Sequence, residues 1–333
     1  MPKPTTSADV AHAAGVSRAT VSYVLNERRD VKISDGVRHR VFAAARELGY
    51  NPSPAARALQ SGRGNVVLIL VPDWETTGEL GRFLAEVGKI VSTEGLACLR
   101  YEGPRWQGRL QQLLTVVTAA AVVTLEPLAD ADAAALANAR IPEVKAFFLD
   151  QPEQPRTTHI AQADIVSAQF LHLLTRGYRR VVYVAVDDAR NRPFLRARIE
   201  AYESLCRAHD MTPAVAILGD DLELMSQTLT RWTDKTGSTD RLGICAWNDQ
   251  TAVGVLTCAA QLGLPAPERL GIIGCDNTSV GTMVAPPLSS IQLNLTADAH
   301  SLARTLTASL GIEPRTHADR QTPSVEAIQR GSS

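Results

Sequence analysis

The chain has 333 residues, 34 Lys and Arg against 35 Asp and Glu, a formal net charge of −1 and 45% apolar residues. That is ordinary globular composition at a length of two or three domains, with enough apolar surface to offset chain entropy, so disorder is excluded as a description of the whole. The charge is uneven: residues 1–63 carry ten Lys and Arg against five Asp and Glu, a net +5 that leaves −6 on the remainder. A small basic head on a larger acidic body points to a polyanion partner at one end.

Several classes of protein fall away on motif grounds. The start, MPKPTTSADVAHAAGVS, lacks the apolar run of a secretory signal. The uncharged stretch 110–125 is 16 residues long with two Gln and three Thr, short of the roughly 20 apolar residues that span a bilayer. The stretch 277–297 is interrupted by Pro286, Pro287 and Asn294. A soluble cytoplasmic protein with no membrane partner is therefore expected. The five cysteines form no CxxC pair and the seven histidines no HExxH pair, which argues against a disulfide framework or a zinc site and for a reducing compartment. GxSxG, GxxxxGK[ST] and GxGxxG are absent. No metal, cofactor or catalytic residue is expected, and the chain does not read as an enzyme.

In chain order, residues 7–26 read SADVAHAAGVSRATVSYVLN. Ser7 is a candidate N-cap, Asp9 sits where a helix dipole favours an acid, and Val10, Ala11 and Ala14 form an apolar stripe. Gly15 breaks this helix, and Ser17 caps a second one starting at Arg18, with Val21, Val24 and Leu25 inward. A third helix is predicted over 35–48, with Val37, Val41, Ala44, Ala45 and Leu48 on its inner face. Two short helices about a glycine turn make a helix-turn-helix. The alternative at this point is a small helical cap with no nucleic-acid role.

Residues 50–64, YNPSPAARALQSGRG, follow. Pro52 interrupts any continuous helix, Ser53-Pro54 is an N-cap followed by a first-turn proline, and AARALQ is long enough for one or two turns. A helix so short is marginal in water, so it is ordered only when something packs on it.

The string DVA-x-x-AGVS-x-x-TVS-x-x-LN, with R-x-x-V-x-x-A-x-x-LGY-x-P and A-R-x-L after it, resembles the lac-repressor (LacI) family of bacterial transcription regulators. The resemblance implies a headpiece over 1–50 and a hinge helix and linker over 51–63. It also implies double-stranded operator DNA and a second copy of the chain as partners. Ser17, Arg18, Ala19, Thr20, Ser22 and Asn26 are the expected DNA-contacting residues of the recognition helix. Arg18 has the fork for guanine, Ala19 can touch only a thymine methyl, and Thr20, Ser22 and Asn26 bond phosphates or support the helix. In the hinge, Ala56, Arg57 and Leu59 are expected at the DNA. Leu59 is the implied minor-groove wedge; the bland alternative is that it packs on the body. The loop ERRDVKISDGVR is about two residues longer than the family pattern.

From residue 65 apolar runs alternate with amphipathic stretches. Strands are predicted at 66–71, 97–101, 120–125, 146–149, 181–186, 214–218, 242–246 and 271–274. Helices are predicted near 79–94, 106–118, 130–139, 164–176, 193–209, 222–235, 249–262 and 296–310. This alternation predicts an α/β class with parallel sheets covered on both faces and, at this length, two lobes. The resemblance implies a periplasmic-binding-protein-like body. Its N-lobe would be 64–161 plus 293–318, its C-lobe 162–292 plus 319–333, and the ending Arg330-Gly331-Ser332 matches the family's.

Ligands of such folds sit at the carboxyl ends of strands. Asp150 ends AFFLD, Asn248 and Asp249 follow ICAW, Asp276 and Asn277 follow GIIGC, and Arg198 lies early in a helix. One guanidinium with carboxylates and amides suits a polyol. Asp150, Arg198, Asn248 and Asp276 are the candidate effector residues, of which Arg198 and Asp276 match family motifs. Asp249 is as readily a helix cap. Trp74 and Trp247 suit either a sugar face or the core. Leu293 stands where many relatives carry a polar residue, and PDWETTGELG lacks the usual Asn-Pro-aromatic pattern. The expected function is a repressor controlled by a sugar or sugar derivative. The alternatives are a transport-type binding protein, and a regulator answering to a nucleoside or a protein partner.

Overall fold

The structure is a computed structural model that describes residues 5–25, 31–50, 64–74, 76, 78–103, 107–149, 156–158, 160–218, 221–234, 241–313 and 324–333. Asn26, Ala56, Arg57, Leu59 and Asp150, named above, lie outside the described residues. The chain divides into two compact units, residues 1–65 and 66–333.

The first unit holds α1 (Ser7–Ala14), α2 (Arg18–Leu25) and α3 (Asp35–Glu47). Thr6, not the expected Ser7, caps α1. The Asp9 carboxylate accepts from the Thr6 N–H at 2.8 Å and from its hydroxyl at 2.7 Å, a reach that fits the residue just outside the first turn. Gly15 closes α1 at φ 63°, the left-handed geometry a glycine adopts without strain. The Ser17 hydroxyl caps α2, accepting from the Thr20 N–H at 3.0 Å. Val10, Ala11, Ala14, Val21, Val24, Val41, Ala44 and Ala45 form one buried cluster. Arg40 donates to the Ala14 carbonyl at 3.3 Å and ties α3 to the end of α1. Leu48, expected inward, is 38% exposed, because it is already the C-cap of α3 and has left the helical stripe.

In the second unit β1 (Val66–Val71), α4 (Gly78–Thr93), β2 (Ala97–Glu102), α5 (Leu110–Val116), β3 (Ala119–Thr124), α6 (Asp130–Ala139) and β4 (Glu143–Lys145) build one lobe. Its strands are parallel in the order β2-β1-β3-β4. The other lobe takes α7 (Gln162–Thr175), β5 (Arg180–Val186), α8 (Arg192–Ala208), β6 (Val215–Leu218), α9 (Leu222–Asp234), β7 (Leu242–Ala246), α10 (Asp249–Gln261), β8 (Leu270–Cys275), α11 (Val280–Met283) and β9 (Ser289–Asn294). After β9 the chain returns to the first lobe as α12 (Thr296–Ser309), which packs on α4 and β4, and then rejoins the second sheet as β10 (Ser324–Ile328). That sheet runs β10-β9-β8-β7-β5-β6, parallel except for the antiparallel β9–β10 pair. β3 and β7 are buried along their whole length, as strands covered by helices on both faces must be.

Two expectations need correction. The strand predicted at 146–149 lies at 143–145. Phe147 is buried, but its carbonyl accepts from the N–H groups of Thr157 at 2.8 Å and Thr158 at 3.1 Å, so the chain has left the β3 ladder there. β9, β10 and α11 were not anticipated. In β9 the buried residues Ser289 and Ser290 hide the strand from apolar patterning, and their hydroxyls are satisfied inside the fold. Four residues of α11 are too few for a helical period.

Gly271 in β8 lies flat under the Tyr178 ring, and a β-carbon there would meet ring carbons at 2.1 Å. That ring cannot retreat. Its hydroxyl donates to the Pro267 carbonyl at 2.7 Å and the Arg241 guanidinium covers it at 4.1 Å. Gly271→Ala should therefore destabilise this lobe by roughly 1–3 kcal/mol through overpacking. Chemical denaturation should show a lower midpoint, and an unchanged one would contradict the packing described.

Candidate functional site

The carboxyl ends of β7 and β8, the start of α7 and the first turns of α8 meet the start of α4 and the crossing segment around Leu293 and Leu295 in one cleft between the lobes. Glu79, Leu80, Phe148, Ile160, Gln162, Ile165, Asn191, Phe194, Arg198, Trp247, Asn248, Asp276, Leu293 and Leu295 line it. Three of the four expected effector residues, Arg198, Asn248 and Asp276, are thus brought together.

Arg198 is 7% exposed, and a guanidinium that far from water needs partners on every side. Its Nε donates to Gln162 Oε1 at 2.8 Å and its Nη1 to the Trp247 carbonyl at 2.7 Å. The guanidinium also stacks on the Trp247 ring at 4.2 Å. Trp247 therefore lines the cleft with one face already covered. Trp74 stands behind the lining, edge-on to Phe194 at 4.8 Å.

Asn248, not Asp249, caps α10. Its Oδ1 accepts from the Thr251 N–H and hydroxyl, both at 2.9 Å, which leaves the amide nitrogen for a ligand. Asp249 is buried and accepts from the Thr278 N–H at 2.6 Å, the Thr278 hydroxyl at 2.8 Å and the Ser290 hydroxyl at 2.5 Å. It ties α10 to β9 and to the turn after β8, and is neither cap nor cleft residue.

In that turn Asp276 has φ 93° and Asn277 φ 44°, both unusual for side-chain-bearing residues. Asn277 is held there by its N–H to Ser290 at 3.0 Å and its amide to Gln292 at 2.9 Å. Burial pushes the Asp276 carboxyl above its ordinary range, opposed by Arg198 and reinforced by Asp249.

Glu79, Gln162, Asn191 and Phe194 escaped the sequence reading. Glu79 sits in the first turn of α4, where an acid reads as dipole complement, and nothing local marks it as a cleft residue. Burial pushes its carboxyl up to about 7, against the pull of Arg82 and with help from Asp276.

In the first unit Ser17, Arg18 and Ala19 are exposed at the start of α2, while Thr20 and Ser22 are half-buried. The side chains expected to read bases thus stand clear of the three-helix core. Among the described residues no cluster of His, Cys, Asp or Glu could hold a metal, and no helix is long and apolar enough to cross a membrane.

A three-helix unit that exposes the start of its second helix, followed by a two-lobed domain with a cleft between the lobes, is the arrangement of a ligand-responsive DNA-binding protein. Residues 6–53 match the bacterial regulatory proteins of the lacI family, and residues 170–333 match the periplasmic binding protein-like domain. The transcriptional regulator DegA of Bacillus subtilis is 26% identical over 296 residues, covering 86% of each chain. The transcriptional repressor CytR of Escherichia coli is 28% identical over 298 residues, covering 86% of this chain and 84% of its own. Among solved structures, the lac repressor dimer bound to operator and the anti-inducer ONPF superposes with a TM-score of 0.74 at 21% identity, covering 99% of both chains. The chain thus joins a lacI-family helix-turn-helix domain to a periplasmic binding protein-like domain, as these regulators do, and is a DNA-binding transcription regulator controlled by an effector.

The Glu79 shift has a defined sign in stability. The unfolded chain releases this proton near 4.5 and the folded chain holds it to about 7, so across that window the folded state binds more protons. Stability must then fall as pH rises through the window. Thermal unfolding across it should show a shallower decline for Glu79→Gln than for the parent chain, and identical slopes would show that Glu79 titrates normally.

Proposed function

We propose that the protein is a cytoplasmic repressor that binds a near-palindromic operator as a homodimer and answers to a sugar or sugar derivative in the cleft. The observation that carries the effector reading is the pairing, in one cavity, of the buried Arg198 with the Asp276 carboxyl, beside an amide from Asn248 and apolar walls from Phe148, Phe194 and Trp247. Carboxyl and amide oxygens accept from hydroxyls, amide and guanidinium nitrogens donate to them, and aromatic walls suit the C–H face of a sugar ring. Asp150 is proposed to join them from the other lobe. The domain limits proposed are 1–50 for the headpiece, 51–63 for the hinge, 64–161 plus 293–318 for the N-lobe and 162–292 plus 319–333 for the C-lobe.

Dimerisation is supported by apolar side chains left exposed on α9 and α11 of the second lobe: Leu222 at 45%, Val280 at 42% and Met283 at 78%. A two-fold protein reads a two-fold site, each recognition helix entering one major groove. Arg18 and Ala19 face base edges there, and Thr20, Ser22 and Asn26 bond phosphates or support the helix. Ala56, Arg57 and Leu59 contribute from the hinge, Leu59 as the wedge in the central minor groove. The effector changes the angle between the lobes and so the spacing of the hinges, to which a marginal helix is sensitive.

A thermal-shift screen of sugars, sugar phosphates and nucleosides identifies the effector class, since a ligand of the folded state raises its melting temperature. With the effector in hand, Arg198→Ala should abolish the ligand response and leave operator binding intact; joint loss of both would indicate a folding role instead. Arg18→Ala should cost roughly 1–3 kcal/mol at one operator position and relax the preference there. An equal loss on every DNA sequence, measured by competition binding, would make Arg18 a phosphate contact.

A further inference from the structure

Arg82 lies one turn into α4 and lines not the effector cavity but the one adjoining it. Its guanidinium makes two contacts that belong to different lobes. It pairs with the Glu79 carboxylate on its own helix, and it donates to the backbone carbonyl of Asp276 at the end of β8. Glu79 and Asp276 are themselves cavity-lining residues. We propose that Arg82 is the positioning residue of the effector site, a clasp that holds Glu79 and Asp276 in place and keeps the cleft closed before any effector arrives.

Three observations converge on this. The first is the bridge itself, which joins α4 of one lobe to the β8 turn of the other through a single side chain. The second is the conformation of that turn. Positive φ at Asp276 and Asn277 carries the backbone out of the β8 direction and offers the Asp276 carbonyl to Arg82. Conformations of this kind persist only where surrounding contacts hold them, and Ser290, Gln292 and Arg330 all bond Asn277. The third is Gly78, at φ 60° at the start of α4. A β-carbon there would lie 2.6 Å from Asp276 Oδ2, so the close approach of the two lobes requires a residue without one.

An isolated surface ion pair is worth little. This one differs because Glu79 is buried and the second acceptor is a carbonyl fixed in a constrained turn, and because one nitrogen, Arg82 Nη2, serves both acceptors, so holding it on either pre-orders the other. A ligand shifts a two-state equilibrium only by binding the two forms unequally. With the clasp made, the effector enters an assembled cavity. Without it, the effector has to supply the closure.

The clasp is a property of the unliganded chain, so its test is independent of which effector the cleft takes, although its role in regulation rests on the effector reading above. Hydrogen–deuterium exchange on the full-length, ligand-free protein reports it. In the parent chain the amides of 78–83 and 275–279 should be protected. Arg82→Ala should speed exchange in both segments roughly tenfold, with β1 and β7 unaffected. Arg82→Lys, which keeps the charge but not the reach of Nη2, should fall between the two. Gly78→Ala, which leaves Arg82 in place and crowds Asp276, should reproduce the Arg82→Ala pattern. Unprotected segments in the parent chain, unchanged exchange in Arg82→Ala, or a loss of protection that spreads to β1 and β7 would each overturn the proposal. Failure here would leave the effector reading standing, since that reading is decided by the ligand screen.

Discussion

A guanidinium removed from water governs the effector domain. Arg198 is placed among apolar residues at the meeting point of the lobes, and every neighbour is arranged to answer its charge. Gln162 supplies an oxygen from the start of α7, Trp247 supplies both a carbonyl and a ring face from the end of β7, and the Asp276 carboxyl supplies a countercharge. These groups come from separate segments of chain, so satisfying Arg198 requires the second sheet and its covering helices to be in register. The site and the fold of that lobe are in this sense one network.

The turn after β8 shows how such a network holds backbone in conformations that are poorly populated alone. Asn277 is bonded through its N–H, its amide nitrogen and its amide oxygen to Ser290, Gln292 and Arg330. The Arg330 N–H in turn donates to Ser289, and Ser332 and Ser333 are buried beside β8 and β9. The final residues are therefore woven into the sheet that carries Asp276. Substitutions there act on the cleft without touching a ligand, because they remove part of what holds the turn in place.

The headpiece works on a different principle. Among the described residues its buried core is eight small side chains from three helices, with Tyr50 packed partly buried against them. So small a unit buries little area, and it leans on local devices: the Thr6–Asp9 cap, the Gly15 turn, the Ser17 cap and the Arg40 bond to Ala14. Those devices are also what leaves the start of α2 exposed, with Ser17 turned to the backbone and Arg18 and Ala19 turned outward.

Much of this was legible in the sequence, for reasons of range. The periodicity of 3.6 residues in the helices and the apolar runs in the strands are local, and most predicted spans agree with the observed ones within one or two residues. The helix-turn-helix was legible because its glycine, its serine cap and its apolar stripe lie within a score of residues. Asn248 and Asp276 could be placed at the cleft because the local sequence marks the strand ends they follow, and Arg198 because it stands early in a helix within a motif the family shares. What the tertiary structure alone decided is longer in range. Glu79, Gln162 and Asn191 join the site only when the lobes meet. Ser289 and Ser290 belong to a strand only because Asp249 and the chain's last residues answer their hydroxyls. The displacement of Glu79's carboxyl to about 7 exists only once the cleft has taken its water away. Desolvation and pairing between distant segments are properties of the assembled chain, and no window of sequence contains them.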